Sequence, residues 1–416
     1  MKKFISSIAL MGLAVMAYGQ NSAIYKAQGH LDKSEFKEAA EILEGAMSNP
    51  KTTKFAEIYN MAGKAEAQIF NPELLKAAQN VPFDTTLFVT ALDKSITYYT
   101  KSHEYDIKPN EKGKVKSKFI ADNHRMIASM LDYYNYAGMF MYANHKLDKS
   151  LEYFGKYINM PKNPVFSKAE TDSIYAAKHK EYAQAAFNVT MLNYQNKNWD
   201  GVIASSELAL KDTAGLRDLY IMKAQAYLQK KDSVNWLNTL KEATARVNDA
   251  EGFAQELLSY YYNKNNAKEA AATADELLAM NPNSKASWYM KGCVELALVK
   301  NYVEARNCFK KALAIDPNFV EANVNMAVSY INEVVSRRDK GEFCMDRRKV
   351  DKFNADRKKI QVYYREALPF MEKVQQLVPE NSKLWASYLQ TIYYNLDNKA
   401  KSAEMDEIMK QAAAGK

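Results

Sequence analysis

Residues Ala286 to Phe319 read ASWYMKGCVELALVKNYVEARNCFKKALAIDPNF, and the order of small and aromatic residues in this stretch decides the fold. Counted from Ala286 as position 1, Tyr289 stands at 4, Cys293 at 8, Leu296 at 11, Tyr302 at 17, Ala305 at 20, Phe309 at 24, Ala312 at 27 and Pro317 at 32. Blocks opening at Arg217 and Glu251 hold similar residues at matching offsets, so successive blocks are spaced 34 and then 35 residues apart. A period of this length marks an array of helical hairpins, each too small to bury its own apolar face and each stabilised by stacking on the next. Composition agrees: 14 Gly and 10 Pro in 416 residues leave little for turn-rich β architecture, while Ala, Leu, Lys, Glu and Met favour helix.

These offsets resemble the tetratricopeptide repeat, a family of paired antiparallel helices A and B. Small residues at positions 8 and 20 let the two helices approach, and bulky ones at 4, 11 and 24 fill the gaps between repeats. The resemblance implies an all-α, right-handed helical-hairpin solenoid with insertions, and a binding scaffold rather than an enzyme. The block at Ala183 has Thr190, Trp199, Val202 and Ala209 in place, and the block at Leu131 has Tyr134, Gly138, Met141, Phe154 and Pro161. Trp236 occupies the small position 20 of the Arg217 block, so that helix pair is expected to splay. After Pro317 a helix A begins with Met326, Ala327 and Tyr330, but its helix B, marked by Ala367, Met371, Val374 and Pro379, arrives 28 residues late, as if both helices lengthened into a hairpin.

The chain therefore divides into a leader at 1–19, degenerate repeats with a basic linker at 20–130, a repeat and spacer at 131–182, regular repeats at 183–319, a repeat with a basic helical insertion at 320–381, and a C-terminal repeat and cap at 382–416. In the degenerate part, Phe36, Ala39, Leu43 and Ala46 have helix B spacing, and Asn71 to Asp84, with two prolines, is expected to be a long inter-helix loop. Ser167 followed by Glu170 is a capping-box pattern, suggesting that the next helix A starts early.

Lys2 and Lys3, an apolar run from Phe4 to Met16 and small residues before Gln20 have the form of an export signal. The run is shorter than the roughly 20 residues a bilayer span needs. An exported protein, in the periplasm of a Gram-negative bacterium and without a membrane span, is expected. Only Cys293, Cys308 and Cys344 are present, too few for a disulfide framework, and the first two read as small residues in a packed seam, although a bridge between them is conceivable.

The five histidines lack the i, i+4 pairing of a helical zinc site, and no Walker A loop, dinucleotide fingerprint or Gly-x-Ser-x-Gly elbow occurs, so neither catalysis, metal nor cofactor is expected. Tyrosine is abundant, with 28 copies. In tetratricopeptide relatives, helix A positions 2, 5, 9 and 12 line a peptide-binding groove. That resemblance assigns Tyr142, Tyr194, Gln255, Ser259, Tyr262 and Tyr393 to a groove suited to an extended peptide or a glycan. A second candidate is the basic run Arg337, Arg338, Arg347, Arg348, Lys349, Arg357, Lys358 and Lys359, where ten Lys or Arg face five Asp or Glu between Ser336 and Lys359. Such runs are commonly solvated helix faces, with acidic-partner or lipid-headgroup contact as the functional reading. The net charge of +8 is mild for this length, and no nucleic-acid partner is expected. The reading is a scaffold that binds a partner protein or extended peptide in a cell-envelope complex. The alternative is a glycan-binding accessory protein of an outer-membrane uptake system.

Overall fold

The computed structural model describes residues 20–50, 52–109, 113–212 and 214–413; the export signal assigned to residues 1–19 lies outside them. Among the described residues the regular structure is helical, and the chain divides into two compact units, Met1–Ser233 and Val234–Lys416. The first unit holds α1 (Gln20–Asp32), α2 (Phe36–Met47), α3 (Phe55–Ala78), α4 (Thr85–Asp106), α5 (Ile120–Ser129), α6 (Tyr133–Ala143), α7 (Leu147–Asn159), α8 (Lys168–Ala177), α9 (His179–Gln195), α10 (Trp199–Ala209) and α11 (Leu216–Gln229). The second opens on α12 (Ser233–Arg246) and continues through α13 (Glu251–Asn263), α14 (Ala267–Met280), α15 (Lys285–Val294), α16 (Tyr302–Ile315), α17 (Val320–Asp339), α18 (Val350–Leu377), α19 (Ala386–Asn395) and α20 (Lys399–Ala413). The division falls inside the Arg217 block, between its two helices. Trp236 of α12 is half-buried and meets Tyr260 of α13 edge-on at 5.5 Å.

Within the units, consecutive helices pack as hairpins: α1 with α2, α3 with α4, α6 with α7, α9 with α10, α13 with α14, α15 with α16, α17 with α18, and α19 with α20. Within the units the chain reverses direction at a residue in the left-handed region: Ser34, Asn80, His145, Lys197, Asn265, Lys300 and Asp397, all with φ between 53° and 63°. The amide after it reaches back five residues to close the helix, as Asn198 does to the Asn193 carbonyl and Asn266 to that of Tyr261, both at 2.9 Å. This is the Schellman closure, usually built on glycine and here built on Lys, Asn, Asp, His and Ser. In four hairpins the turn residue is followed by asparagine, and Asn198, Asn301 and Asn398 accept the amides of Gly201, Glu304 and Lys401 to cap helix B.

Packing inside a hairpin depends on a small residue of helix A meeting a ring of helix B. A Cβ added to Gly138 would lie 2.7 Å from the Phe154 ring, one at Gly292 2.5 Å from Phe309, and one at Gly63 3.0 Å from Tyr99. Gly138 precedes Phe154 by 16 residues, whereas Gly292 precedes Phe309 by 17. The additional residue is taken up by a π turn over Glu295–Val299, where the Asn301 amide reaches back six residues, to Glu295, instead of five. The repeat therefore keeps a 34-residue step from Glu251 to Lys285, with Trp288 at position 4 and Gly292 at position 8. The 35-residue spacing read from the sequence is an insertion within helix A rather than between blocks.

The stretch Asn71 to Asp84 is not a long loop, because α3 continues through Pro72 to Ala78. Proline removes the bond to the Gln68 carbonyl, but both residues are exposed, so the carbonyl is left open to solvent rather than buried without a partner. The Glu73 carboxylate then accepts the Asp84 amide at 2.7 Å and fixes the short turn. Ser167 and Glu170 do form a capping box, yet the helix it starts is a separate one, since the backbone breaks at Lys178 before α9 begins. The insertion after Phe319 lengthens both members of its hairpin, to 20 residues in α17 and 28 in α18.

Gly138→Ala is expected to destabilise the first unit by about 1–3 kcal/mol in urea unfolding through overpacking against Phe154. Gly155→Ala, on α7 with open space around its Cβ position, is expected to stabilise by about 0.5–1 kcal/mol. The Glu170 carboxyl is lowered from 4.5 to about 2 by the Ser167 amide, then the Ser167 hydroxyl and His124. Its contribution is complete above pH 4.5 and is lost as pH falls from there toward 2. Protection of the α8 amides, taken relative to unstructured peptide at the same pH, is expected to fall across that window, and Glu170→Gln to remove the change.

Candidate ligand-binding faces

The left-handed turn residue stands at position 15 of the blocks opening at Leu131, Ala183 and Glu251, and at 16 of the Lys285 block because of the π turn, and it fixes which residues of helix A face outward. In the second unit, α13 buries Phe253, Ala254, Leu257, Leu258 and Tyr261, whereas Gln255 and Tyr262 are half-buried and Ser259 is exposed. The assigned residues Gln255, Ser259 and Tyr262 thus share the side of α13 turned away from the core. The Gln255 amide donates to Glu251 at 3.2 Å. Burial raises the Tyr262 hydroxyl pKa, and the neighbouring Cys293 adds to the effect. Asn325 on α17 donates to the Tyr289 hydroxyl at 3.2 Å and to the Cys293 sulfur at 3.4 Å. Burial also raises the Cys293 thiol, which keeps it protonated; Cys293 and Cys308 are both free thiols rather than a bridge. The outcome is a polar, aromatic face: Ser259 and Tyr262 on α13, Tyr289 and Cys293 on α15, and Asn325 on α17.

The first unit presents a different surface at the same positions. Phe187, Met191 and Tyr194 of α9 are half-buried at 5, 9 and 12, and Tyr194 meets Trp199 edge-on at 5.8 Å. On α11, which packs beside α9, Ile221 at position 5 is 44 % exposed and Leu228 at position 12 is 54 % exposed. Met139 and Tyr142 of α6 are exposed at positions 9 and 12. Ile221, Leu228 and Met139 stand at the same offsets as the assigned groove residues, and the offset rather than the tyrosine content is the sequence signal that marks them.

Tyr393 is a correction. It is buried at 4 % exposure and donates to Glu372 at 2.7 Å while accepting from Lys401 at 3.3 Å. With Asp397 as the left-handed residue, Tyr393 stands at position 11, the buried position that Tyr261 fills, and its neighbour Tyr394 takes the outward position 12.

The basic run is divided by the structure rather than gathered into one patch. Arg337 donates to Glu342 and to Tyr363 and lies over the buried Phe343 ring at 5.2 Å. Arg348 grips Asp346 through two bonds of 2.9 and 3.0 Å, Arg357 pairs with Asp397, and Lys359 with Asp356 at 2.8 Å. Among the described residues the ion pair of Arg338 is a long contact to Asp339 at 3.9 Å. Arg347, Lys349 and Lys358 are exposed and have no ion pair among the described residues.

Among the described residues, no group of three or more His, Cys, Asp or Glu is arranged to hold a metal ion, and no helix is long and apolar enough to cross a membrane. No family model and no curated protein matches the sequence. In fold, the chain is similar to tetratricopeptide-repeat proteins. The C-terminal part of a TPR repeat-containing protein from Cytophaga hutchinsonii is 16 % identical over 65 % of this chain and 92 % of that one, with a TM-score of 0.39. A MamA RS-1 double mutant is 19 % identical over 49 % of this chain and 98 % of its own, at 0.38. The pilF protein of Pseudomonas aeruginosa is 15 % identical over 57 % and 95 %, at 0.36.

If Ile221 and Leu228 are surface residues rather than core, replacing each with Ser changes stability by less than about 0.5 kcal/mol. Leu219→Ala, fully buried on the opposite side of α11, costs about 2–5 kcal/mol. Thermal unfolding of the three variants separates the cases.

Proposed function

We propose that the chain is a non-enzymatic helical-repeat scaffold that holds a partner protein or extended peptide along its A-helix faces. The observation that supports it is the pairing of Ile221 and Leu228, both large, apolar and solvent-accessible on α11, with Phe187, Met191 and Tyr194 in the same register on the adjacent α9. Large apolar side chains left accessible at matching offsets of neighbouring helices are the kind of surface that a partner covers. Ile, Leu, Met and aromatic side chains are the anchors that bind apolar residues of a partner segment. The polar face around Tyr262 and Asn325 in the second unit supplies hydrogen-bonding tips instead, which suit the backbone of an extended chain. The export pattern at the N-terminus supports a place for this scaffold in the bacterial cell envelope.

The test is selection of binders from a displayed random-peptide library on the purified chain, followed by titration calorimetry. The reading expects peptides with spaced apolar or aromatic residues, whose affinity falls by at least about 10-fold in Ile221→Asp/Leu228→Asp. Peptides insensitive to that change would remove the first-unit face from the proposal. Selective retention of oligosaccharides on a glycan array, with no peptide enriched, would favour the uptake-accessory alternative.

A further inference from the structure

The long hairpin of the second unit carries a cleft of about 650 Å³ between the α17–α18 connection, α18 and the end of α19. This volume lies within the range that accommodates a small ligand or a short peptide segment. Its walls carry Arg347, Arg357 and Lys399 against one carboxylate, Asp397, which is already paired with Arg357. The lining also includes Tyr394 and Met345, 66 % and 51 % exposed, with Phe353 beside them. Arg347 and Lys399 make no ion pair among the described residues, whereas Arg337, Arg348 and Lys359 in the same hairpin are each paired with a carboxylate.

The wall that carries Arg347 is held in place before any ligand arrives. The Cys344 amide donates to Asp356 at 2.9 Å, Asp356 is buried, and Phe343 is buried beneath the Arg337 guanidinium. The two bonds from Arg348 to Asp346 close the turn that presents Arg347. An ordered wall with unmatched cations loses little conformational freedom on binding an anion.

We propose that this cleft binds an acidic peptide segment of a partner protein, with a carboxylate between Arg347 and Lys399 and an apolar or aromatic side chain on Tyr394 and Met345. Guanidinium groups in this hairpin already take carboxylates, as the Arg348–Asp346 pair shows. The Asp397 carboxylate disfavours a dianionic phosphate at the same place more than a single carboxylate. Tyr394 offers a ring with an open face, which an aliphatic or aromatic side chain covers with gain of apolar contact.

The test is fluorescence anisotropy of the full chain with a labelled decapeptide of alternating Glu and Tyr. The Lys and Tyr counterpart and vesicles of phosphatidylglycerol with phosphatidylcholine serve as competing arms. The proposal expects the acidic peptide to bind and the basic one not to. Arg347→Glu/Lys399→Glu is expected to weaken it by at least about 10-fold, and Tyr394→Ser by roughly 3–10-fold. All three positions are exposed, so the variants are expected to fold, and Lys349→Glu/Lys358→Glu outside the cleft is expected to change affinity by less than about 2-fold. Equal loss in the cleft and control variants would replace the site with a diffuse basic field and overturn it. So would vesicle binding that the acidic peptide does not displace. Ile221→Asp/Leu228→Asp is expected to bind the acidic peptide unchanged, so this proposal and the A-helix reading fail separately.

Discussion

The contact on which the hairpins depend is a residue without a side chain in helix A against a ring in helix B. At Gly138 and Gly292 the rings of Phe154 and Phe309 occupy the space a Cβ would need, and the two phenylalanines are 2 % and 0 % exposed. Close approach of the backbones removes the ring from water on both sides and leaves no room for a void. The Glu251 block satisfies the same volume in reverse, with Leu258 at position 8 and Ala274 at position 24, both buried. These three hairpins therefore fill the pair to a similar summed volume with either member supplying the bulk, whereas Thr190 and Ser206, both fully buried, fill the same positions of the Ala183 block with two small polar residues.

That constraint explains which parts of the fold could be read from the sequence. Buried small and aromatic residues recur at fixed offsets because the hairpin geometry recurs, so the helices marked by Ala305, Phe309 and Ala312, or by Ala39, Leu43 and Ala46, were legible. The turns were not, because the left-handed positions are filled by Lys197, Asn265, Lys300 and Asp397 rather than by glycine, and lysine carries no turn signal. The asparagine that follows the turn, as at Asn198, Asn301 and Asn398, is the residue type that marks it. Pro72 misled because a proline on an exposed helix face leaves its lost carbonyl partner to water, a circumstance that depends on burial and not on residue type.

Phase matters more for the surface than for the core. A helix advances about 100° per residue, so a register error of one moves a residue from the outward side toward the packed seam. Tyr393 and Tyr394 show the consequence: the first lies in the core with its hydroxyl held by Glu372 and Lys401, the second opens onto the cleft of the long hairpin. The core tolerates such an error in a sequence reading because neighbouring apolar residues flank the seam on both sides. A binding face, defined by three or four positions per helix, does not.

The π turn at Glu295–Val299 joins these two points. One added residue in a helix either shifts every later side chain by about 100° or is absorbed locally as a bulge. Here absorption preserves both ends: Gly292 stays beneath Phe309, and Lys300 stays in the left-handed turn that delivers Asn301 to cap α16. The residues upstream of the turn, Tyr289 and Cys293, consequently keep the register of Gln255 and Ser259 on α13, at positions 5 and 9. The polar face of the second unit is continuous in register because the insertion was confined to the end of the helix. The long hairpin follows the same logic on a larger scale, since its added residues extend α17 and α18 beyond the repeat and leave Ala327 and Ala367, each fully buried, where the repeat packing requires them.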